Sequence, residues 1–399
     1  MSRIMVVAGG RWQVDIVKKA KEMGHYVVCS NLYADSPAFG FADACEVADV
    51  KDKETNLRFA EKHNIDAVVS DQSDIAIPTV AYIAEKLGLP GIGTEKADIC
   101  TDKAKMRNFC KKNGFRIPDY KPCSSVDDVT EMLDKYGKII IKPIDSQSAR
   151  GVFIIDSVEK LKQCYSITES FANRRKEILA EEYLDGAEFT IDGLVVNGHH
   201  YPICVSVKQM HEKNSMVSMV QTYSYTSDEF DYDLLRKENS KLVQTIGLPF
   251  GLTHTEYRFA KGQYYLLEIA ARGGGSNLSS KIVPYISGVD NYKYLINSVI
   301  GAPNDEEPLK TLKLPEDNYA IMRFFDFGSG TVKRVNGMKA LKNSPYMLDY
   351  NLDLKAGEQI EVPQFGSMRP GHFTIAGHDM NALQKEYNHI LNTVKVEFE

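Results

Sequence analysis

Two glutamates stand in strand-prone, largely apolar runs of this chain, and they restrict its fold more than any other feature. The runs are Thr253-His254-Thr255-Glu256-Tyr257-Arg258 and Leu267-Glu268-Ile269-Ala270-Ala271-Arg272, the second leading into Gly273-Gly274-Gly275. Between them Lys261-Gly262-Gln263 reads as a hairpin turn. If Ala260 pairs with Tyr264 across that turn, Glu256 falls opposite Glu268, and both carboxylates share one face of the sheet. Like charges directly opposed across a sheet are destabilising. A divalent cation between them removes the penalty, and hard oxygen ligands favour Mg²⁺ (or Mn²⁺), which keeps waters and substrate phosphates in its shell. The alternative is a pair of unrelated exposed acids, with Glu256 paired to Arg258.

The 399 residues are long for one core and predict two or three domains. The opening alternates strand and helix: Arg3–Ala8, Val14–Met23, Tyr26–Ser30, then Ala67–Ser70 and Ile75–Leu87. Such β-α-β order predicts a parallel, doubly wound α/β domain over residues 1–100. Gly9-Gly10 lacks the spacing of a dinucleotide fingerprint and reads as a tight turn. A basic helix over Lys103–Asn113 follows Thr101-Asp102, either of which can cap it. The next domain is expected over 101–310, with a smaller α/β lobe at about 118–187. A polar stretch, Gln209–Glu229, reads as a long loop, and a helix over Leu234–Ile246 precedes the acidic hairpin. A small α+β unit, 311–399, ends with a helix near Met380–Val394.

A net charge of −6 carries no polybasic signature, so no nucleic-acid partner is expected. No run approaches the roughly 18 apolar residues of a membrane span, so none is expected there either. Seven scattered cysteines without C-x-x-C spacing suit free thiols and a cytoplasmic setting.

Lys142 ends an apolar strand just before Pro143, and Ser146-Gln147-Ser148-Ala149-Arg150-Gly151 follows as a small-residue loop. Such a loop can offer backbone N–H groups and hydroxyls to phosphate oxygens; as a plain strand connection it needs no ligand. Further on, Glu181 closes an apolar strand, Leu184 sits in a linker with its backbone free, and Glu188 lies beyond the Gly186 turn. An adenine ring needs one acceptor and one backbone donor, which Glu181 and the Leu184 N–H can supply; Glu188 can accept ribose hydroxyls. An acidic loop between strands explains the same residues without a ligand.

In this order the pieces resemble the ATP-grasp superfamily over almost the whole chain. The resemblance implies ATP held between two lobes. Lys103 and Lys142 would contact its phosphates and the Ser146–Gly151 loop (Ser146, Ser148, Gly151) would cover them. Glu181 and Leu184 would hold adenine, Glu188 the ribose, and Glu256 and Glu268 Mg²⁺. Arg272 would face the transferred phosphate or the substrate carboxylate and stabilise the tetrahedral intermediate. Many members carry a metal-binding Asn two residues after the second Glu; here that position is Ala270, and Asn277 is the candidate substitute. His-Thr-Glu with Glu-Ile-Ala-Ala-Arg looks most like the branch containing the L-amino acid (dipeptide) ligases. The flanking units resemble those of biotin carboxylase and purine-pathway members. The implied activity is ATP-dependent ligation of a carboxylate to an amine through an acyl phosphate, with ADP and phosphate released and a homodimer as the default assembly. The alternatives are a carbamoyl-phosphate or purine-pathway type of enzyme, and a non-catalytic nucleotide-binding scaffold.

Overall fold

The computed structural model describes residues 1–146, 149–172, 176–212 and 214–399. Its first sheet is parallel, in the spatial order Ala44–Val47, Tyr26–Asn31, Arg3–Val7, Ala67–Val69. Successive residues of Arg3–Val7 point to opposite faces, and both faces are covered. Ile4 and Val6 pack with Ile16, Val17 and Ala20 of the helix Val14–Glu22. Met5 and Val7 pack with Ala60 of Lys53–Lys62 and Ile83 and Ala84 of Ile77–Leu87. Burial on both faces explains why these strands are continuous apolar runs.

A second, four-stranded sheet is antiparallel: Tyr120–Cys123, Ile178–Glu182, Ile139–Pro143, Phe153–Ile155. The helices Val126–Tyr136 and Val158–Ser170 cover it through Val129, Leu133 and Leu161. Ser125 and Ser157 cap these helices by accepting from Asp128 N and Lys160 N.

The largest sheet has eight strands, ordered Gln263–Ala270, Gly251–Ala260, Ala187–Val196, His199–His211, Asn214–Tyr223, Tyr319–Phe324, Gly371–Gly377, Met347–Leu352. Its last three strands come from the C-terminal segment, so one ladder runs from the acidic hairpin into the end of the chain. A three-stranded sheet, Gln359–Ile360, Gly330–Asn336 and Lys395–Phe398, closes the C-terminal part.

The Gln209–Glu229 loop expected from sequence is not present. Most of that stretch is antiparallel strand, with Ser206 opposite Tyr223 and Gln209 opposite Val220. Its polarity has a structural reason. Met219, Val220 and Tyr223 enter the core, whereas Lys208, Met210, Ser218 and Gln221 line a cleft. A strand facing a cleft loses the apolar alternation that marks a strand against solvent. All seven cysteines are free, and among the described residues no helix is long and apolar enough to cross a membrane.

Candidate active site

The acidic hairpin forms, by a register one residue away from the expected one. Lys261 and Gly262 both adopt positive φ (52° and 74°), the conformation of a two-residue I′ turn. Ala260 therefore pairs with Gln263, not Tyr264, and Tyr257 with Leu266. Continued unbroken, this ladder would set Glu256 against Leu267. A bulge intervenes between Tyr257 and Glu256, and Glu256 pairs with Glu268 after all.

Both glutamates line a cleft of about 260 Å³ between the four-stranded and eight-stranded sheets. Lys103, Lys142, Ser146, Glu181, Leu184, Glu188 and Arg272 line it too. Ser148 lies outside the described residues. Gly151 does not form the wall: at φ +71° it packs on Phe171, where a Cβ would come within 2.8 Å of the ring, and Arg150 and Val152 on either side face the cleft.

The cleft is a chain of opposite charges. Glu181 is shared by two cations, receiving Arg107 Nε on Oε1 and Lys142 Nζ on Oε2, each at 2.7 Å. Lys208 Nζ bridges Glu188 at 2.8 Å and Glu256 at 2.7 Å. Arg258 takes the other oxygen of Glu188 at 2.6 Å. Lys103 Nζ donates to Glu268 Oε1 at 2.9 Å and to the Ser146 carbonyl at 2.8 Å. Arg272 forms a two-point pair with Asp74, its Nε 2.9 Å from Oδ1. His254 bonds Asp192 through Nδ1 at 2.9 Å and turns Nε2 toward Glu256 at 3.7 Å.

These pairings set the protonation of the cleft. Burial works against the Lys103 charge, but Glu268, Asp74 and Glu256 outweigh it and raise its pKa. Lys142 goes the other way. Burial, aided by Arg107 and Lys103, overcomes Glu181 and brings Lys142 down to about 8. Burial also opposes the Glu181 carboxylate, yet Arg107 and Lys142 hold it below its usual range. His254 is buried, but Asp192 and Glu256 bring it up to about 9.

The donor set suits a hard cation. Glu256 and Glu268 each spend Oε1 on a cationic side chain, and their Oε2 atoms have no hydrogen-bond partner among the described residues. No cluster of three or more His, Cys, Asp or Glu able to hold a metal occurs among the described residues. A Mg²⁺ ion here must complete its shell from phosphate oxygens and water, as Mg²⁺ ordinarily does. Ala270 lines the cleft without offering a ligand. Asn277 is not among the residues lining the cleft; it holds a left-handed φ of 60° and donates to Asp349 at 3.0 Å.

Sequence reading missed Arg107, Lys208, His254 and Asp74. Arg107 had a signal, since it lies one helical turn after Lys103 on the same face of Lys103–Lys112. It also anchors the hairpin, donating to the Leu266 and Leu267 carbonyls at 3.1 and 2.9 Å.

Residues 137–280 match a family model described as ATP-grasp domain, and residues 323–399 one described as L-amino acid ligase C-terminal domain 2. An alanine–anticapsin ligase from Bacillus subtilis is 26% identical over 267 residues, covering 60% of this chain and 55% of the relative. The match thus spans about half that relative's length. A formate-dependent phosphoribosylglycinamide formyltransferase from Wolinella succinogenes is 21% identical over 308 residues, covering 75% of this chain and 77% of the relative. Among solved structures, an L-amino acid ligase from Bacillus licheniformis superposes with a TM-score of 0.84 at 20% identity, covering 100% of this chain and 99% of that one. At that identity the likeness establishes the fold.

Proposed function

We propose that this chain, which carries an ATP-grasp domain followed by an L-amino acid ligase C-terminal domain, is an ATP-dependent carboxylate–amine ligase acting on amino-acid-like substrates. The observation that carries the reading is the opposed pair Glu256 and Glu268 in a cleft whose lysines Lys103, Lys142 and Lys208 are each paired with a carboxylate. ATP and Mg²⁺ fit such a cleft by exchange of partners: phosphate oxygens take the lysines and the cation takes the glutamates. Buried charges then stay compensated in both arrangements, as buried ions must.

In the proposed reaction a substrate carboxylate attacks the γ-phosphoryl group, giving an acyl phosphate and ADP. An amine attacks the acyl carbon, phosphate leaves with the acyl–oxygen bond pair, and the nitrogen releases a proton as the amide forms. Bound Mg²⁺ would be held by Glu256 and Glu268 and would neutralise charge on the transferring group. Lys142 and Lys103 place ammonium groups against the phosphates. Arg272, fixed by its two bonds to Asp74, sits beside Glu268 with its charge stabilised further by that pairing, placed to stabilise the oxyanion of the tetrahedral intermediate. The Leu184 backbone and Glu181 form the adenine end and Glu188 the ribose contact. The proposed domain limits are 1–100, 101–310 and 311–399.

A second reading, a formate-type acid joined to a sugar-phosphate amine, is favoured by the longer match to the formyltransferase. An ADP-release screen over amino-acid pairs and over formate with sugar-phosphate amines, with product masses, separates the two. ADP and phosphate are the expected products. AMP with pyrophosphate would defeat the acyl-phosphate chemistry, and nucleotide binding without turnover on any pair would leave a scaffold.

A further inference from the structure

Arg369 lines the cleft, and no described carboxylate pairs with it. Its Nε donates to the Gly366 carbonyl and its Nη1 to the Ser218 carbonyl, each at 2.7 Å. Its Cζ lies over the Phe324 ring, 3.4 Å from the ring centre, in a cation–π contact. Nη2 has no hydrogen-bond partner among the described residues, and the side chain lines the cleft beside Met210, Met216 and Val217. Burial without a counter-ion pushes Arg369 down to about 10, still cationic at neutral pH. Two carbonyls and a ring fix its orientation but do not neutralise it. A half-buried, oriented guanidinium with no counter-ion is completed by an anion, and a planar fork suits a carboxylate.

The sheet places this cation away from the metal pair. Ser218 and Phe324 sit on the fifth and sixth strands, Glu256 and Glu268 on the second and first. Three strand spacings between the Glu256 and Ser218 strands amount to roughly 14 Å. Arg369 therefore addresses a group other than the one held at the glutamates. In amide formation between amino acids, the acid's carboxylate is consumed at the phosphoryl group. The carboxylate that survives belongs to the amine.

We propose that Arg369, held over Phe324, is the receptor for the free carboxylate of the amine substrate. The proposal rests on the ligase reading above.

The test uses the full chain with Arg369→Ala and Arg369→Lys. ADP release is measured with the twenty proteinogenic L-amino acids, singly and in pairs. On the fastest pair the amine partner is also offered as its carboxamide. Losing a charge-assisted bond should raise KM for the amino-acid amine about ten- to a hundredfold in Arg369→Ala. KM for the carboxamide and for ATP should stay unchanged, and Arg369→Lys, which keeps the charge, should recover part of the loss. Equal losses for the amino acid and its amide overturn the proposal. So does a rise in KM for ATP, which would put Arg369 on the triphosphate. Should the wild type release no ADP with any pair, the ligase reading falls and binding decides this one. Phenylglyoxal labelling of Arg369, read by peptide mass, should then be blocked by the L-amino acid mixture and not by the matching amides; no protection, or protection by ATP alone, overturns it.

Discussion

Glu256 faces Glu268 only because a bulge beside Tyr257 takes Leu267 out of the ladder. Without it the I′ turn would set Glu256 against a leucine, and the two acids would lie on opposite faces of their strands. The bulge is pinned from outside, since Arg107 holds the carbonyls of Leu266 and Leu267. Bulges next to active sites often re-aim a side chain in this way.

The first prediction concerns that pair. Glu256→Gln and Glu268→Gln keep the shape of each side chain and remove its charge. Each should lower Mg²⁺-dependent ADP release by more than the roughly 10–100-fold that loss of an outer-sphere metal partner costs, and each should raise the Mg²⁺ concentration needed for half activity. Circular dichroism should remain that of the wild type. An unchanged Mg²⁺ requirement in both variants would remove the metal assignment.

Lys142 gives a pH signature. Its pKa is brought down to about 8 by burial with Arg107 and Lys103 nearby, so it loses its proton as pH rises through that value. A neutral amine cannot compensate phosphate charge. Since kcat/KM reports groups of the free enzyme, kcat/KM for ATP should fall above pH of about 8. In Lys142→Arg the guanidinium stays protonated, and that limb should disappear even if overall activity drops. A limb that persists in the variant belongs to another group.

Glu181 is the most deeply buried acid of the cleft and the partner of two cations, one of them the fully buried Arg107. Glu181→Ala leaves those cations facing each other, and breaking a buried pair on one side costs about 3–5 kcal/mol. Urea unfolding should show that loss at pH 7. The sign with pH follows from the depressed carboxyl pKa. The stabilisation is complete above the unfolded carboxylate range and is lost as pH falls through the lower folded value. The gap between wild type and Glu181→Gln should therefore narrow in acid; a gap that stays constant would argue against this ion-pair account.

How much of this was legible in sequence depended on whether the cause was local. The first sheet was, because strands buried on both faces are unbroken apolar runs such as Ala67–Val69, and Gly88 marks a helix end by its left-handed φ of 65°. The glutamate pair was legible too, although the turn was read one residue long and the bulge made up the difference. The strands between Gln209 and Tyr223 were not, because the cleft demands polar residues where a strand normally shows alternation. Nor were the ion pairs. Partners such as Lys103 and Glu268, or Arg272 and Asp74, lie 165 and 198 residues apart, and no local pattern joins them.

The last prediction concerns Gly186, at the connection between the two sheets that enclose the cleft. Its φ is +151°, and a Cβ built there would stand 1.9 Å from the Phe259 carbonyl oxygen. That oxygen belongs to the strand carrying Glu256, and the Gly186 carbonyl itself accepts from Arg258 Nη1 at 3.1 Å. Any side chain must therefore force the connection away from the hairpin and loosen the Arg258–Glu188 pair beside it. Gly186→Ala should cost about 2–4 kcal/mol, in the range of strongly strained backbone positions, and should raise KM for ATP more than it lowers kcat, because Glu188 and Leu184 move while Glu256 and Glu268 keep their own ladder. Gly262→Ala is the control: its φ is also positive, at +74°, but nothing lies within 4 Å of its Cβ, so it should cost only about 1 kcal/mol and leave both kinetic constants in place. Similar effects from the two substitutions would show that φ alone, and not the contact with Phe259, sets the requirement for glycine at the connection.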